Sequence, residues 1–236
     1  MKNVVITGGA GYLGKALTEK FISEGYRVLT LDIVEMENFG KEHFHYLCDV
    51  TKVYNIERTF KDIHERFGFI DILINNAGVT IHTPMMERTW EEFDMVMKIN
   101  CYGTFFSSKE SLKYMKGGSI INIGSIYGIV SPDPNIYGDS GENSPEVYGM
   151  SKAGIIQLTK YLAVHTPRNI QVVTISPGGI YKTQSATFIK RYEKKTPMGR
   201  MATRDEVVRL IFLVADSNIT YLNGANIPID GGLTAW

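Results

Sequence analysis

Seven short apolar runs alternate with amphipathic stretches along the chain, and that alternation leaves few folds open to it. Strands are predicted over residues 4–7, 27–33, 44–48, 70–75, 119–123, 170–176 and 225–229. Helices are predicted over 14–24, 53–67, 90–115, 147–165 and 204–215. Gly25 stops the first helix, and Gly117 and Gly118 close the long third one. In the second, Ile56, Phe60, Ile63 and Phe67 share one face. Buried strands separated by helices imply a parallel sheet covered on both sides. Right-handed crossovers make a doubly wound sheet the simplest topology. The expected fold class is α/β, a single doubly wound parallel-sheet domain over residues 1–236 with helices on both faces. A chain of that length buries roughly 70–75% of its unfolded surface and needs no covalent staples. Ligands of such sheets bind beyond the carboxyl ends of the strands. Two segments, 129–145 and 178–199, lack clear periodicity and are expected to be substrate loops near that edge.

Composition removes several alternatives. Hydrophobic residues make up 44% and charged residues 21%, as in ordinary globular domains. The formal net charge of zero gives no basic excess, so no nucleic-acid partner is expected. Cys48 and Cys101 stand outside any metal-ligand spacing and read as two buried thiols, with no metal site. The N-terminus has no signal-peptide layout, and no apolar run reaches the ~18 residues of a membrane span. A cytoplasmic protein without membrane attachment is expected.

The first predicted strand runs into Thr7-Gly8-Gly9-Ala10-Gly11-Tyr12-Leu13-Gly14, which opens the first helix. Gly8, Gly11 and Gly14 permit a tight turn, close backbone approach and close helix–strand packing. A helix N-terminus there presents N–H groups to a diphosphate. This strand–turn–helix context is the one a dinucleotide fingerprint requires, and it points to a Rossmann fold. Asp32 ends the second strand, where a carboxylate can accept bonds from both adenosine ribose hydroxyls and would repel a 2′-phosphate. The phosphate turn holds no Lys or Arg, and none follows Asp32 before Lys41, so the expected cofactor is NAD.

With these residues in view, the chain resembles the short-chain dehydrogenase/reductase family over nearly its whole length. The resemblance is carried by Asp49-Val50, Asn75-Asn76-Ala77-Gly78, Asn100, Ser125, Tyr148-Gly149-Met150-Ser151-Lys152, Pro177-Gly178 and Asp230-Gly231-Gly232. It implies that Gly8, Gly11, Tyr12, Leu13, Gly14 and Asp32 bind the cofactor. It further implies that Asp49 and Val50 contact the adenine, and that Asn75, Asn76, Ala77 and Gly78 line the cofactor. Ile180 would meet the nicotinamide carboxamide beside Pro177 and Gly178. Asn100, Ser125, Tyr148 and Lys152 would form the catalytic tetrad, with Tyr148 and Lys152 also touching cofactor.

Two departures stand out. The turn is spaced TGxxGxxG with Tyr12 in place of a glycine, as in the extended branch of nucleotide-sugar epimerases and dehydratases. The remaining motifs and the short C-terminus fit the short branch. In addition, Ser125 and Tyr148 lie about ten residues further apart than that branch usually shows. The extra loop, together with Pro177-Gly178-Gly179-Ile180, residues 194–201 and the ending 231–236, is similar to a subgroup associated with bacterial surface-sugar and flagellin-glycan biosynthesis.

Tyr148 and Lys152 are four apart on a predicted helix and so share a face. A nearby ammonium and the nicotinamide charge would lower a phenol pKa from about 10, letting Tyr148 exchange a proton with a substrate hydroxyl. Ser125 would orient the same oxygen. Lys152 would also hold the nicotinamide ribose, and Asn100 would support a water linking Lys152 to solvent. The loop with Ser131, Asp133, Asn135, Tyr137, Asp139, Glu142 and Asn143 suits a small polar, sugar-like substrate, with a solvated insertion as the alternative. Lys182, Lys190, Arg191, Lys194, Lys195 and Arg200 could meet a phosphate or carboxylate, or simply face solvent. Tyr127, Tyr181 and His82 could line the pocket or pack. The expected activity is NAD-dependent interconversion of a secondary alcohol and a ketone on a sugar, sugar phosphate or nucleotide sugar. The alternatives are a 3-oxoacyl thioester reductase, a nucleotide-sugar epimerase or dehydratase, and a non-enzymatic dinucleotide sensor. The resemblance also implies a homotetramer or homodimer.

Overall fold

The computed structural model describes residues 1–138, 144–216 and 219–236. In chain order its main elements are β1 (Asn3–Thr7), α1 (Tyr12–Ser23), β2 (Arg27–Asp32), β3 (His43–Leu47), α2 (Val53–Phe67) and β4 (Ile70–Asn75). Then come α3 (Trp90–Met97), α4 (Gly103–Ser111), β5 (Met115–Ile123), α5 (Pro134–Tyr137), α6 (Glu146–His165) and β6 (Ile170–Pro177). The chain ends with α7 (Ala186–Lys195), α8 (Arg204–Asp216) and β7 (Asn226–Ile229).

The strands form one sheet in the order β3-β2-β1-β4-β5-β6-β7. Every pairing is parallel. The order reverses between β1 and β4, which places a crevice at the carboxyl ends of those two strands. Side chains alternate along β1, so Val4 and Ile6 face one layer and Val5 the other. On the first side they pack with Leu17 and Phe21 of α1 and Val207 and Ile211 of α8. On the second, Val5, Leu29 and Leu73 pack with Ile56, Phe60 and Ile63 of α2. Each of these fully buried side chains contributes about 1.5–3 kcal/mol. The layered α/β expectation is met.

Three local expectations are corrected. The helix expected over 90–115 is broken by a π-helical turn over Lys98–Tyr102. The turn sets the buried Asn100 side chain against the Val79 backbone, accepting from its N–H at 2.8 Å and donating to its carbonyl at 3.0 Å. Gly117 and Gly118, expected to close that helix, lie inside β5. There β4 advances from Ile70 to Ile72 while β5 advances from Met115 to Ser119. The bulge passes through Gly118 at φ +110°, where a Cβ would stand 1.9 Å from the Asp71 carbonyl oxygen. Finally, both expected substrate loops carry helices, α5 and α7, which pack on each other.

Candidate active site

The turn after β1 is tied to its neighbours almost entirely by backbone. Gly8 N–H and Gly9 N–H both donate to the Leu31 carbonyl, at 2.7 and 3.2 Å. Gly14 must be glycine, because a Cβ there would stand 2.1 Å from the Gly8 carbonyl oxygen. Asn76 stitches the turn to β4, its amide donating to the Thr7 and Gly8 carbonyls at 3.0 and 2.9 Å. Asp32 closes the other edge. Its carboxylate accepts from Ala10 N–H at 3.0 Å and Ile33 N–H at 2.7 Å. The N-terminus of α1, at Gly11, has no side-chain cap, so its first N–H groups remain for a ligand.

These groups border a cleft of about 810 Å³. Gly8, Gly11, Tyr12, Leu13, Asp32, Asp49, Val50, Asn76, Ala77 and Gly78 all line it. Its size and the glycine-bordered, uncapped helix end fit a dinucleotide. Gly14 and Asn75 are not on the wall. Asn75 is buried beneath it and donates to Ser108 Oγ at 2.9 Å and Asn122 Oδ1 at 2.8 Å. Asn122 in turn donates to Thr159 Oγ1 at 2.8 Å. This polar ladder ties β4 and β5 to α4 and α6 under the site. The far wall is α3, through Trp90, Asp94 and Met95, and the start of the π-helical turn, through Lys98 and Ile99. Sequence reasoning missed it, because periodicity does not tell a helix face turned to a cleft from one turned to open solvent.

The remaining expected groups gather beyond β5 and β6. Ser125 follows β5 and caps a short 3₁₀ turn over Ile126–Gly128, accepting from Tyr127 N–H at 3.2 Å. Tyr148 lies in the first turn of α6, half-buried, and hydrogen-bonds Ser125. One helical turn on, the Lys152 ammonium donates to the Ile123 carbonyl at 2.8 Å and stands 5.5 Å from the Tyr148 ring centroid. The 3₁₀ turn lies flush on α6, since a Cβ at Gly128 would stand 2.7 Å from the Lys152 carbonyl carbon. Asn100 joins this group indirectly. It donates to Ser151 Oγ at 2.9 Å, and Ser151 Oγ donates to the Tyr148 carbonyl at 2.8 Å. A buried guanidinium that sequence reasoning passed over, Arg88, holds the start of α6. It donates to Glu146 at 2.9 Å and to the Thr83 carbonyl at 2.7 Å. Pro177, Gly178 and Ile180 stand at the end of β6, with Gly178 N–H donating to Ile229 O at 2.9 Å.

Burial adds an influence on the site that the sequence does not show. Burial pushes the Tyr148 phenol above its ordinary value, and the Ser125 hydrogen bond only opposes that rise. Burial also pushes the Lys152 ammonium down to about 8. The protein alone therefore favours neutral phenol, because low dielectric disfavours charge on both groups. Tyr127 is raised as well, first by burial and then by Tyr137.

The helices α5 and α7 pack against each other. Tyr137 meets Phe188 edge-on at 5.5 Å, and Ile136, Tyr137, Tyr192 and Met201 are buried together. Asp133 caps α5 through Asn135 N–H at 2.9 Å and pairs with Lys195 at 2.6 Å. Tyr127 and Tyr137 hydroxyls are 3.2 Å apart, and the Tyr192 hydroxyl accepts from Gly179 N–H at 2.5 Å. Of the cations expected to meet an anion, Lys195 is thus paired, and Arg200 holds Glu206 at 2.9 and 2.7 Å. Lys190 and Lys194 are exposed, as are His82 and Tyr181. Cys48 is buried but Cys101 only half-buried. Asp139, Glu142 and Asn143 lie outside the described residues.

Known proteins share this fold. A family model described as enoyl-(acyl carrier protein) reductase matches residues 9–234. A 3-oxoacyl-[acyl-carrier-protein] reductase of Thermotoga maritima is 32% identical over 98% of this chain and 97% of its own. The chain belongs to the short-chain dehydrogenase/reductase family. A short-chain dehydrogenase from Leptospira borgpetersenii, solved with bound NAD+, is 41% identical, with a TM-score of 0.93 over 99% of this chain and 92% of that one. The ribulose-forming D-arabinitol 2-dehydrogenase of Candida tropicalis is 30% identical over 100% of this chain and 93% of its own length. As a short-chain dehydrogenase/reductase, the protein is an oxidoreductase. Among the described residues no helix is long and apolar enough to cross a membrane.

Proposed function

We propose that the protein is an NAD-dependent dehydrogenase/reductase that interconverts a secondary alcohol and a ketone on a sugar, sugar phosphate or nucleotide sugar. The observation that carries this reading is the convergence of Ser125, Tyr148 and Lys152 beside a glycine-bordered cleft whose edge holds Asp32. In the oxidative direction Tyr148, held as the phenolate by the positive charges that Lys152 and a bound nicotinamide would place beside it, takes the substrate hydroxyl proton and becomes the neutral phenol. Ser125 Oγ donates to the same oxygen and fixes its orientation. Lys152 opposes the effect of burial on Tyr148 and holds the nicotinamide ribose. Asn100 supports this group through Ser151. When bound, the nicotinamide supplies the hydride acceptor or donor. Asp32 favours NAD, since a 2′-phosphate would meet its carboxylate.

The polar substrate class rests on the phenols of Tyr127, Tyr137, Tyr148 and Tyr192 around the site, which pair aromatic faces with hydroxyl groups. The likeness to a D-arabinitol dehydrogenase points the same way. A step in bacterial surface-sugar or flagellin-glycan biosynthesis, in the cytoplasm, is the setting we assign. Reduction of a 3-oxoacyl thioester is the second reading, favoured by the 32% identity to such a reductase. We also assign a homotetramer or homodimer, with Tyr102, Phe105, Met150, Tyr161 and Val164 of the α4 and α6 region forming its exposed apolar contacts.

The test is a panel of polyols, sugar phosphates, nucleotide sugars and acyl thioesters with NAD(H) and NADP(H), followed by NADH absorbance. Turnover confined to acyl thioesters would reject the polar substrate. Tyr148→Phe is expected to abolish turnover and leave NADH affinity nearly unchanged; near-normal turnover in that variant would remove Tyr148 from the chemistry.

A further inference from the structure

The phosphate turn itself carries no lysine or arginine. The fold brings two cations to it from elsewhere. Tyr12 opens α1 on the cleft wall and is 39% exposed. Its hydroxyl donates to the Tyr181 carbonyl at 3.3 Å, in the segment that follows β6. Lys182 Nζ stands 5.1 Å from the centroid of the same ring, and the Arg204 guanidinium 5.0 Å. Neither cation is placed by a freely moving chain. Tyr181 N–H donates to the Ala202 carbonyl at 2.8 Å, and Ala202 N–H donates to Gly179 O at 2.9 Å. Ile180 and Ala202 form an isolated parallel bridge, and Arg204 opens α8 two residues later. Among the described residues the carboxylate paired with Arg204 is the exposed Asp205, at 3.9 Å, which is too distant for a hydrogen-bonded pair.

Two like charges held near one another repel unless something between them attracts both. An aromatic face does so, because its quadrupole presents negative potential to a cation. A diphosphate, with two negative charges, is the ligand that such a pair beside a helix N-terminus would take. We propose that Tyr12, Lys182 and Arg204 form a clasp over the diphosphate of a bound dinucleotide. The ring holds the cations in place, and the Tyr12–Tyr181 hydrogen bond joins the two rims of the cleft. In this arrangement Tyr12 sets how fast the dinucleotide leaves. The inference rests on dinucleotide binding, but on neither the substrate nor the chemistry proposed above.

The experiment is stopped-flow NADH release, with equilibrium NADH affinity, on the full chain and on Tyr12→Gly, Tyr12→Phe and Lys182→Met. Tyr12→Gly and Lys182→Met should each speed release roughly tenfold, the size of a partly desolvated cation–π contact. Tyr12→Phe keeps the ring and should change release less than Tyr12→Gly. Release from the natural protein should accelerate with salt, and that dependence should weaken in Lys182→Met. Lys182 is exposed, so its substitution keeps the test informative even where Tyr12→Gly folds poorly. Release within about twofold of the natural protein in both variants would overturn the clasp. Failure of the natural protein to bind NADH would overturn both the clasp and the NAD reading. NADH binding without turnover on any alcohol would reject the proposed activity alone, and the release rates would still decide the clasp.

Discussion

At Tyr148 two influences oppose each other: burial raises the phenol and the Ser125 hydrogen bond lowers it. Lys152, one turn along, is itself weakened by the same burial, to about 8. That value has a consequence for stability. In the unfolded chain the group titrates near 10.5, so between about 8 and 10.5 the unfolded state holds a proton that the folded state lacks. Stability from this group therefore rises as pH climbs through that window, and the penalty of a buried ammonium is fully present below it. Urea midpoints of the natural protein and Lys152→Met, compared across pH 7 to 10.5, should diverge in favour of the natural protein at the alkaline end. A constant difference would show that Lys152 titrates normally. Ser125, Tyr148 and Lys152 were singled out through the family resemblance, since a Tyr and a Lys four apart on a helix are common on solvated faces. The direction of the Tyr148 shift was not legible, because desolvation depends on what packs over the helix.

Among the elements, α5 and α7 are the ones that the proposed function places over the substrate. Neither was legible as a helix, since four residues are too few for periodicity, and α7 sits in a segment read as loop. Their contact depends on Tyr137 of α5 meeting Phe188 of α7, two residues far apart in sequence that meet only on the folded sheet edge, while Phe188 and Tyr192 share one face of α7. Asp133→Ala removes both the α5 cap and the pair with Lys195. It should cost about 1 kcal/mol of stability. Loosening α5 should also raise KM severalfold while NADH affinity stays the same. An unchanged KM would detach α5 from the substrate site. The π-turn over Lys98–Tyr102 is a second device of this kind, because it replaces regular helix with the geometry that lets Asn100 reach Val79 and Ser151.

For the whole molecule, the parallel order places the phosphate turn, Ser125 and the end of β6 at one edge, so a single crevice collects groups from separate strands. The opposite concern is the outer face of α4 and α6. Phe105, Tyr161 and Val164 are exposed there at 41%, 56% and 77%. Light scattering on the purified protein should give a mass of two or four chains. Phe105→Glu combined with Val164→Glu should shift it toward one chain, since a charge cannot be buried unpaired in an apolar contact. A monomeric natural protein would refute the assembly.

Sequence alone determined the layered α/β sheet, because continuous apolar strands alternating with amphipathic helices admit little else. It also determined the glycine turn, since Gly8 and Gly14 stand where a Cβ would strike backbone. Only the tertiary structure decided which charges serve that turn. Lys182 and Arg204 lie roughly 170 and 190 positions from Tyr12, and no local pattern links them. They reach its ring because α8 packs beside α1 and the segment after β6 is bonded to Ala202 just before α8, and attraction between charge and ring depends on distance in space rather than along the chain.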